Sequence, residues 1–303
     1  MSGAQKALMG AMLAAFYTVL ISCADAITKL IAGGYAAPQL YAISGFLVVM
    51  MCLGANRFSG ARVRGLLTVC PRAMGLRSIA TVLAALSFFY AFKLLPFADV
   101  FIFIGLMPVM AGLMSGLILG EKVRPGAWIA LMACFTGVLC LFPEGIRAMQ
   151  WGHAFAFAAT CFGTFSIVLA RYIGRWESNA LAQVFYPNLA IFVSMAVVLP
   201  LVWKPMPIAD LGWVAAYAAI LFGARWLLVV ALRLLAAYAV TPMMNLQFVW
   251  MVLLGALFFG EMPGAETYLG VAIVIGSGLF LIWDQFVPAT VDIKAQPAVS
   301  PRR

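Results

Sequence analysis

Apolar residues run along this chain in stretches of about twenty, broken by short clusters of glycine, proline and arginine. A helix of about 20 apolar residues spans the hydrocarbon core of a bilayer. The runs fall at about 7–31, 38–55, 74–94, 97–119, 125–142, 152–171, 180–202, 211–232, 237–259 and 265–283. Turn chemistry separates them: Gly33-Gly34, an arginine-rich stretch over 56–72, Leu95-Pro96, Arg124-Pro125-Gly126, Pro143-Glu144-Gly145, Pro205-Met206-Pro207 and Pro263-Gly264. The connections are short, so neighbouring helices run antiparallel. The pattern predicts an all-α polytopic membrane protein of ten transmembrane helices.

Composition agrees with the pattern. Of the 303 residues, 65% are apolar and 10% charged, with mean hydropathy +1.06. A soluble domain averages roughly 45–50% apolar and about 25% charged, so a soluble enzyme, a disordered chain and a nucleic-acid module are excluded. Ten spans use about 200 residues, which leaves no room for a second, soluble domain. The formal charge of +9 is a topology signal instead. On one side lie Lys6, Arg57, Arg62, Arg64, Arg72, Arg77, Lys122, Arg124, Arg171, Arg175, Arg233, Lys294, Arg302 and Arg303. The other side receives Lys29, Lys93, Arg147 and Lys204, and Arg225 lies inside a span. Positive-inside reasoning puts both termini in the cytoplasm of an inner-membrane protein. The first run is too long for a signal-peptide core and lacks a clear A-x-A site, so it is read as the first span. The six cysteines form no CxxC pair and have no histidine at ligand spacing. They read as small core residues, and neither a metal nor a cofactor is expected.

The chain also repeats itself. A shift of 140 residues sets AFKLLPFADV from Ala91 on ALRLLAAYAV from Ala231, Lys93 on Arg233, and Gly120-Glu121 on Gly260-Glu261. A shift of about 142 superposes the first and sixth spans, with Lys29 meeting Arg171. Two halves of five helices result, residues 1–145 and 146–285, followed by a tail over 286–303 expected to be disordered. Five is odd, so the second half enters the membrane the opposite way up. Inverted-topology repeats are the architecture of many secondary transporters.

The same residues carry a family resemblance. Ala98-Asp99, Pro108 and Leu119-Gly120-Glu121, followed by Pro125-Gly126 and Gly137, form one copy of a motif. Ala239-Val240, Trp250 and Phe259-Gly260-Glu261-Met262-Pro263, followed by Gly270 and Gly276, form the second. The chain resembles the drug/metabolite transporter superfamily, EamA type, over nearly its whole length. Phe248 stands where the first copy has Pro108, and Pro38 is followed by Gln39; both depart from the pattern. The resemblance implies ten helices, with helices 1–4 and 6–9 around a central cavity and helices 5 and 10 at the periphery. It also implies a carrier of small metabolites, often an exporter of amino acids.

Polar residues at lipid depth are the candidates for binding. Arg225 falls roughly 15 residues into the eighth span. A charge there is costly, on the order of 2.5–3.5 kcal/mol or more, and usually faces the bundle interior. Its planar fork suits a substrate carboxylate; snorkelling to headgroups and a structural lock with a buried acid are the alternatives. Asn245 and Gln247 need partners at that depth. Tyr186-Pro187-Asn188 couples a proline break to two polar side chains, and Tyr17, Tyr90, Phe101 and Trp250 are candidate pocket walls, with Tyr41, Phe88, Phe103 and Trp226 beside them. Asp25 stands four residues before Lys29, a spacing for an ion pair, and is also a candidate proton carrier. Asp99 opens the fourth span and is the second such candidate. His153, the only histidine, begins the sixth span. Pro108 is a candidate hinge, and Gly112, Gly116 and Gly120 form a small-residue row for close helix crossing.

These residues point to a secondary carrier that moves small metabolites by alternating access, with amino acids or related amphipathic and aromatic compounds as cargo and export as the expected direction. A lipid flippase or a multidrug or nucleoside carrier on the same fold is the alternative. The chain contains no Walker motif. Its acids are scattered and it has one histidine, so no enzyme is expected. The expected partners are a small-molecule substrate and the lipid bilayer, with the chain as a monomer or homodimer and no nucleic acid.

Overall fold

The computed structural model describes residues 3–58, 66–95, 97–120, 128–129, 132–133, 136, 150–177, 179–235, 240, 243–244, 246–260, 269, 272–273, 276–277 and 280. The expected fifth and tenth spans, the tail, and Asn245 lie wholly or largely outside these residues, as do the side chain of Asp99 and the acids Glu121 and Glu261. The described chain is helical throughout. Its elements are α1 (Gly3–Ala32), α2 (Ala37–Phe58), α3 (Pro71–Leu94), α4 (Phe97–Ile104), α5 (Met107–Leu119), α6 (Trp151–Trp176), α7 (Ala180–Val202), α8 (Ile208–Leu234) and α9 (Gln247–Phe259). Six of them (α1, α2, α3, α6, α7 and α8) are long and apolar enough to cross a membrane. Together with the apolar composition they make this a multi-pass membrane protein.

The helix ends follow local chemistry. Pro71 opens α3 at a position that needs no N–H donor. The side chain of Asn179 accepts from Ala182 N at the start of α7, and Gln150 with His153 forms a capping box on α6. Two helices end on left-handed glycines: Gly120 after α5 (φ 62°) and Gly260 after α9 (φ 65°). A side chain at either position would meet backbone strain. Gly120 therefore terminates a helix and is no part of a packing row. Of the other two glycines in that row, Gly112 is buried and Gly116 is exposed.

The expected fourth span is two helices, with Gly105 and Leu106 between α4 and α5. Leu106 N–H bonds to Phe103 O at 3.0 Å, and Leu246 N–H bonds to Met243 O at 3.0 Å just before α9. The break thus recurs at the same register, 140 residues later. Pro108 lies in the first turn of α5, whereas the second copy has Phe248. Proline alone therefore does not account for the break. The ends of α3 and α8 repeat in the same way: Leu95 (φ −123°, ψ 153°) and Leu235 (φ −125°, ψ 152°) are extended C-caps.

Packing pairs elements from residues 3–94 with elements from residues 151–234. α3 lies against α6, α1 against α8, and α2 against α7. At the α2–α7 crossing, a Cβ on Gly45 would lie 3.1 Å from Phe192 N and 3.2 Å from Asn188 O, so the two backbones approach as small residues allow. The outward faces are as apolar as the inward ones: Leu117, Leu201 and Ile208 are more than four-fifths exposed. Side chains of this kind are at home against lipid tails, and the polar groups are left for the interior.

Candidate functional site

The long helices turn one polar stripe each toward a shared centre. Tyr17, Ile21, Asp25 and Thr28 recur at helical spacing on α1; Arg77, Thr81, Ala84, Ala85 and Phe88 do so on α3; and Tyr217, Leu221, Arg225 and Leu228 do so on α8. Gly163, Ser166, Ile167 and Ala170 complete the wall from α6. Tyr41, Pro187, Ile104, Met107, Met244 and Gln247 close it from the remaining elements. They enclose a cavity of about 180 Å³. These are the helices of the expected spans one to four and six to nine.

Arg225 lies in this wall and faces the bundle interior. Its Nη1 donates to Asn188 Oδ1 at 3.0 Å, while Asn188 Nδ2 donates to Val184 O at 2.7 Å. Asn188, next to Pro187 on α7, is therefore a bracket that orients the guanidinium. Asp25 accepts from Gln247 Nε2 at 3.3 Å. Lys29, one turn on, places its ammonium over the Phe259 ring, 5.2 Å from the centroid, a cation–π contact at the end of α9. Tyr41 donates to Ala85 O at 3.0 Å, and its ring lies 6.4 Å from that of Tyr217. Thr81 and Ser166 share a hydrogen bond of 2.8 Å across α3 and α6.

The other expected residues stand elsewhere. Trp250 donates from Nε1 to Thr18 Oγ1 at 3.2 Å and ties α9 to α1. Phe101 is 1% exposed and packs edge-on against Phe248 at 4.9 Å, inside an apolar cluster. Tyr90 is exposed, with its ring against Phe89 and Phe155, and Tyr186 packs against Phe185. None of these four is among the residues that line the cavity. His153 accepts from Gln150 N at 2.8 Å and serves the start of α6. Pro108 is buried in the first turn of α5 and does not line the cavity either.

The sequence sets Arg77 among the basic residues of one side of the membrane, and the structure adds that its side chain turns inward. It lies on α3, 6% exposed, and its Nη1 donates to Gln183 O at 2.7 Å and Oε1 at 2.9 Å. The signal was available: Arg77 precedes Thr81, Ala84 and Phe88 at helical spacing. Tyr217 and Thr28 were missed because a tyrosine or threonine in an apolar run gives no sign of which way it faces.

Each end of the bundle is tied by contacts between residues far apart in the chain. At one end Tyr35 donates to Asp210 Oδ2 at 2.5 Å, the Gln39 amide bonds the backbone of Lys204 in both directions, and Lys204 Nζ donates to Gly34 O at 3.3 Å. The Asp210 hydrogen bond pushes the Tyr35 hydroxyl above its ordinary pKa. At the other end Glu177 Oε2 accepts from Thr68 Oγ1 and from Val69 N, both at 2.8 Å. Arg171 and Arg175 donate to Leu232 O and Leu119 O, which satisfies carbonyls at the ends of α8 and α5.

The described residues form a multi-pass helical bundle in which Asp25, Arg77 and Arg225 converge on one central cavity. Residues 1–142, a little under half of the chain, match the EamA-like transporter family. Among curated proteins it is similar to "Riboflavin transporter" of Rhizobium johnstonii, 26% identical over 72% of this chain and 70% of the relative. It is also similar to "Riboflavin transporter" of Vibrio cholerae, 25% identical over 57% of this chain and 58% of the relative. A solved crystal structure shares the fold with a TM-score of 0.73 at 18% identity, covering 91% of this chain and 98% of its own.

Proposed function

We propose that this protein is a secondary carrier that moves a flat, polar heteroaromatic metabolite of the flavin type across the inner membrane by alternating access. The observation that carries the reading is the cavity itself. Rings of Tyr17, Tyr41, Phe88 and Tyr217 offer stacking surface, and Arg225, Gln247, Asp25 and Thr28 offer directional polar contacts beside them. A flavin has a flat ring system, an edge rich in hydrogen-bond acceptors and a polyhydroxyl arm, and it uses both kinds of wall. The two similar proteins named riboflavin transporters point to the same cargo.

The repeated cap geometry at Leu95 and Leu235, and at Gly120 and Gly260, supports two five-helix halves of opposite orientation, residues 1–145 and 146–285. Such halves exchange conformations and open one site to either side in turn. Both termini are assigned to the cytoplasm from the distribution of lysine and arginine. The chain works as a monomer or homodimer, and export is the assigned direction.

A second reading has its own support. Arg225 and Asp25 place opposite charges around one cavity, which suits the carboxylate and ammonium of an aromatic amino acid. Counterflow in proteoliposomes of purified protein separates the two. Labelled riboflavin exchanging against unlabelled riboflavin, with Arg225→Lys reducing the rate about tenfold or more, supports the flavin reading. Exchange of tryptophan or phenylalanine without riboflavin selects the amino-acid reading. Lipid scrambling with neither exchange selects a flippase.

A further inference from the structure

Three contiguous side chains beside the cavity carry buried donors with no hydrogen-bond partner among the described residues. Arg77 spends Nη1 on Gln183, but its Nε has no hydrogen-bond partner. Gln183 is 1% exposed; its Oε1 accepts from Arg77, and its Nε2 has no partner. Arg233, half-buried in the last turn of α8, has two such atoms, Nε and Nη2. The three are neighbours. Arg77 and Gln183 are bonded directly, and Gln183 and Arg233 meet over Gly174 on α6. A Cβ on that glycine would lie 3.6 Å from Arg233 Cγ and 3.9 Å from Gln183 Nε2.

A buried donor left unbonded costs about 1–3 kcal/mol, and more when it is charged. Four such atoms in one cluster, two side chains of which are guanidiniums, are a large penalty unless an acceptor completes them. The carbonyls of Leu232 and Leu119 accept from Arg171 and Arg175 instead. Among the described residues an acid, Glu177, stands one turn beyond Gly174, and its Oε2 is committed to Thr68 and Val69. Glu177 Oε1 is itself buried without a partner. Counting Arg77, Arg233 and Glu177, the cluster carries one net positive charge.

We propose that Arg77, Gln183 and Arg233 form an oxyanion subsite adjoining the cavity. It receives the phosphate or carboxylate of an anionic ligand. The site rests on the cavity being the binding site of the carrier: Arg77 belongs to both, so an anionic arm held by the subsite leaves the flat ring of the same molecule among the tyrosines. Charge-assisted bonds from a guanidinium fork to an oxyanion are the strongest this residue set can make.

The test uses the full chain in detergent and in nanodiscs of neutral lipid. Inorganic phosphate is expected to raise the melting temperature of the wild type and to leave Arg233→Gln unmoved. Riboflavin 5′-phosphate is expected to bind about tenfold tighter than riboflavin, with that preference lost in Arg233→Gln and reduced in Arg77→Lys. Arg77→Lys keeps the charge and guards against a variant that fails to fold. A shift by phosphatidylglycerol, absent with either phosphate ligand and abolished in Arg233→Gln, identifies a lipid headgroup as the source of the anion and keeps the subsite. No anion shifting the wild type, or equal shifts in wild type and Arg233→Gln, overturns it. Phosphate binding without any flavin binding leaves the subsite standing and rejects the flavin reading.

Discussion

Gly152 on α6 and Leu95 at the end of α3 are in contact so close that a Cβ on the glycine would fall 2.6 Å from Leu95 Cγ. The same relationship recurs between Gly10 on α1 and Leu235 at the end of α8, at 2.8 Å. The two glycines are 142 residues apart and the two leucines 140. Two like crossings therefore hold the bundle, one between α3 and α6 and one between α1 and α8.

This geometry predicts an asymmetry among glycine substitutions. Gly152→Ala and Gly10→Ala are expected to destabilise by about 1–3 kcal/mol, because an inserted methyl falls within 3 Å of a leucine side chain that must shift to admit it. Gly54→Ala on α2, where nothing lies within 4 Å, is expected to be neutral or stabilising by up to about 1 kcal/mol from helix propensity. Thermal unfolding in detergent reads all three. A Gly152→Ala protein as stable as Gly54→Ala refutes the crossing.

Asn188 is a positioning residue for Arg225. Asn188→Ala removes the 3.0 Å bond to the guanidinium and is expected to raise KM about tenfold while leaving the turnover of saturated carrier within about threefold. Stability falls by about 1–3 kcal/mol, the cost of a buried bond partner lost. Counterflow kinetics at several cargo concentrations check the split, and a fall in turnover with unchanged KM contradicts it.

Asp25 is an acid in the cavity wall, and Gln247 holds one of its oxygens. Asn is of the same size and leaves that contact available while removing the ionisable proton. Asp25→Asn is expected to exchange cargo at equilibrium but to lose any accumulation driven by an imposed pH gradient. Parallel assays of counterflow and gradient-driven uptake decide it; uptake that still follows the gradient removes Asp25 from that role.

Tyr35 ties one end of the bundle through Asp210, and the bond raises the pKa of the hydroxyl. A group with a raised folded-state pKa contributes stability that is present in full below its unfolded value, about 10 for tyrosine, and is lost as pH rises through the folded one. Tyr35→Phe is therefore expected to melt lower than the wild type at pH 8. The gap should narrow as pH climbs above about 10. A gap that is constant through pH 11 shows that the hydroxyl bond is not its source.

The legible part of the site was what costs most to bury. Arg225, Asp25 and Gln247 stood out because a charge or an amide at lipid depth demands a partner, and the structure places all three on the cavity. Tyr17 also lines it, whereas Tyr90, Phe101, Tyr186 and Trp250 pack outside it. An aromatic ring is equally content against lipid, core or cargo, so its type carries no direction. The sequence sets Arg77 among the basic residues of one side of the membrane, and only the bond to Gln183 shows that it has turned inward.

The sequence by itself determined the class. Apolar runs long enough to span a bilayer and so few charges admit little besides a multi-pass helical bundle. Tertiary structure decided which faces meet. The contacts that shape the cavity join residues far apart in the chain: Asn188 to Arg225, Asp25 to Gln247, and Arg77 to Gln183. The physical reason lies in the solvent. Against lipid an apolar helix face gains little more from one neighbour than from another, so hydropathy sets which segments cross. Orientation is then set by close backbone approach at Gly10, Gly45 and Gly152 and by partners for the few buried polar groups, and both depend on geometry in three dimensions.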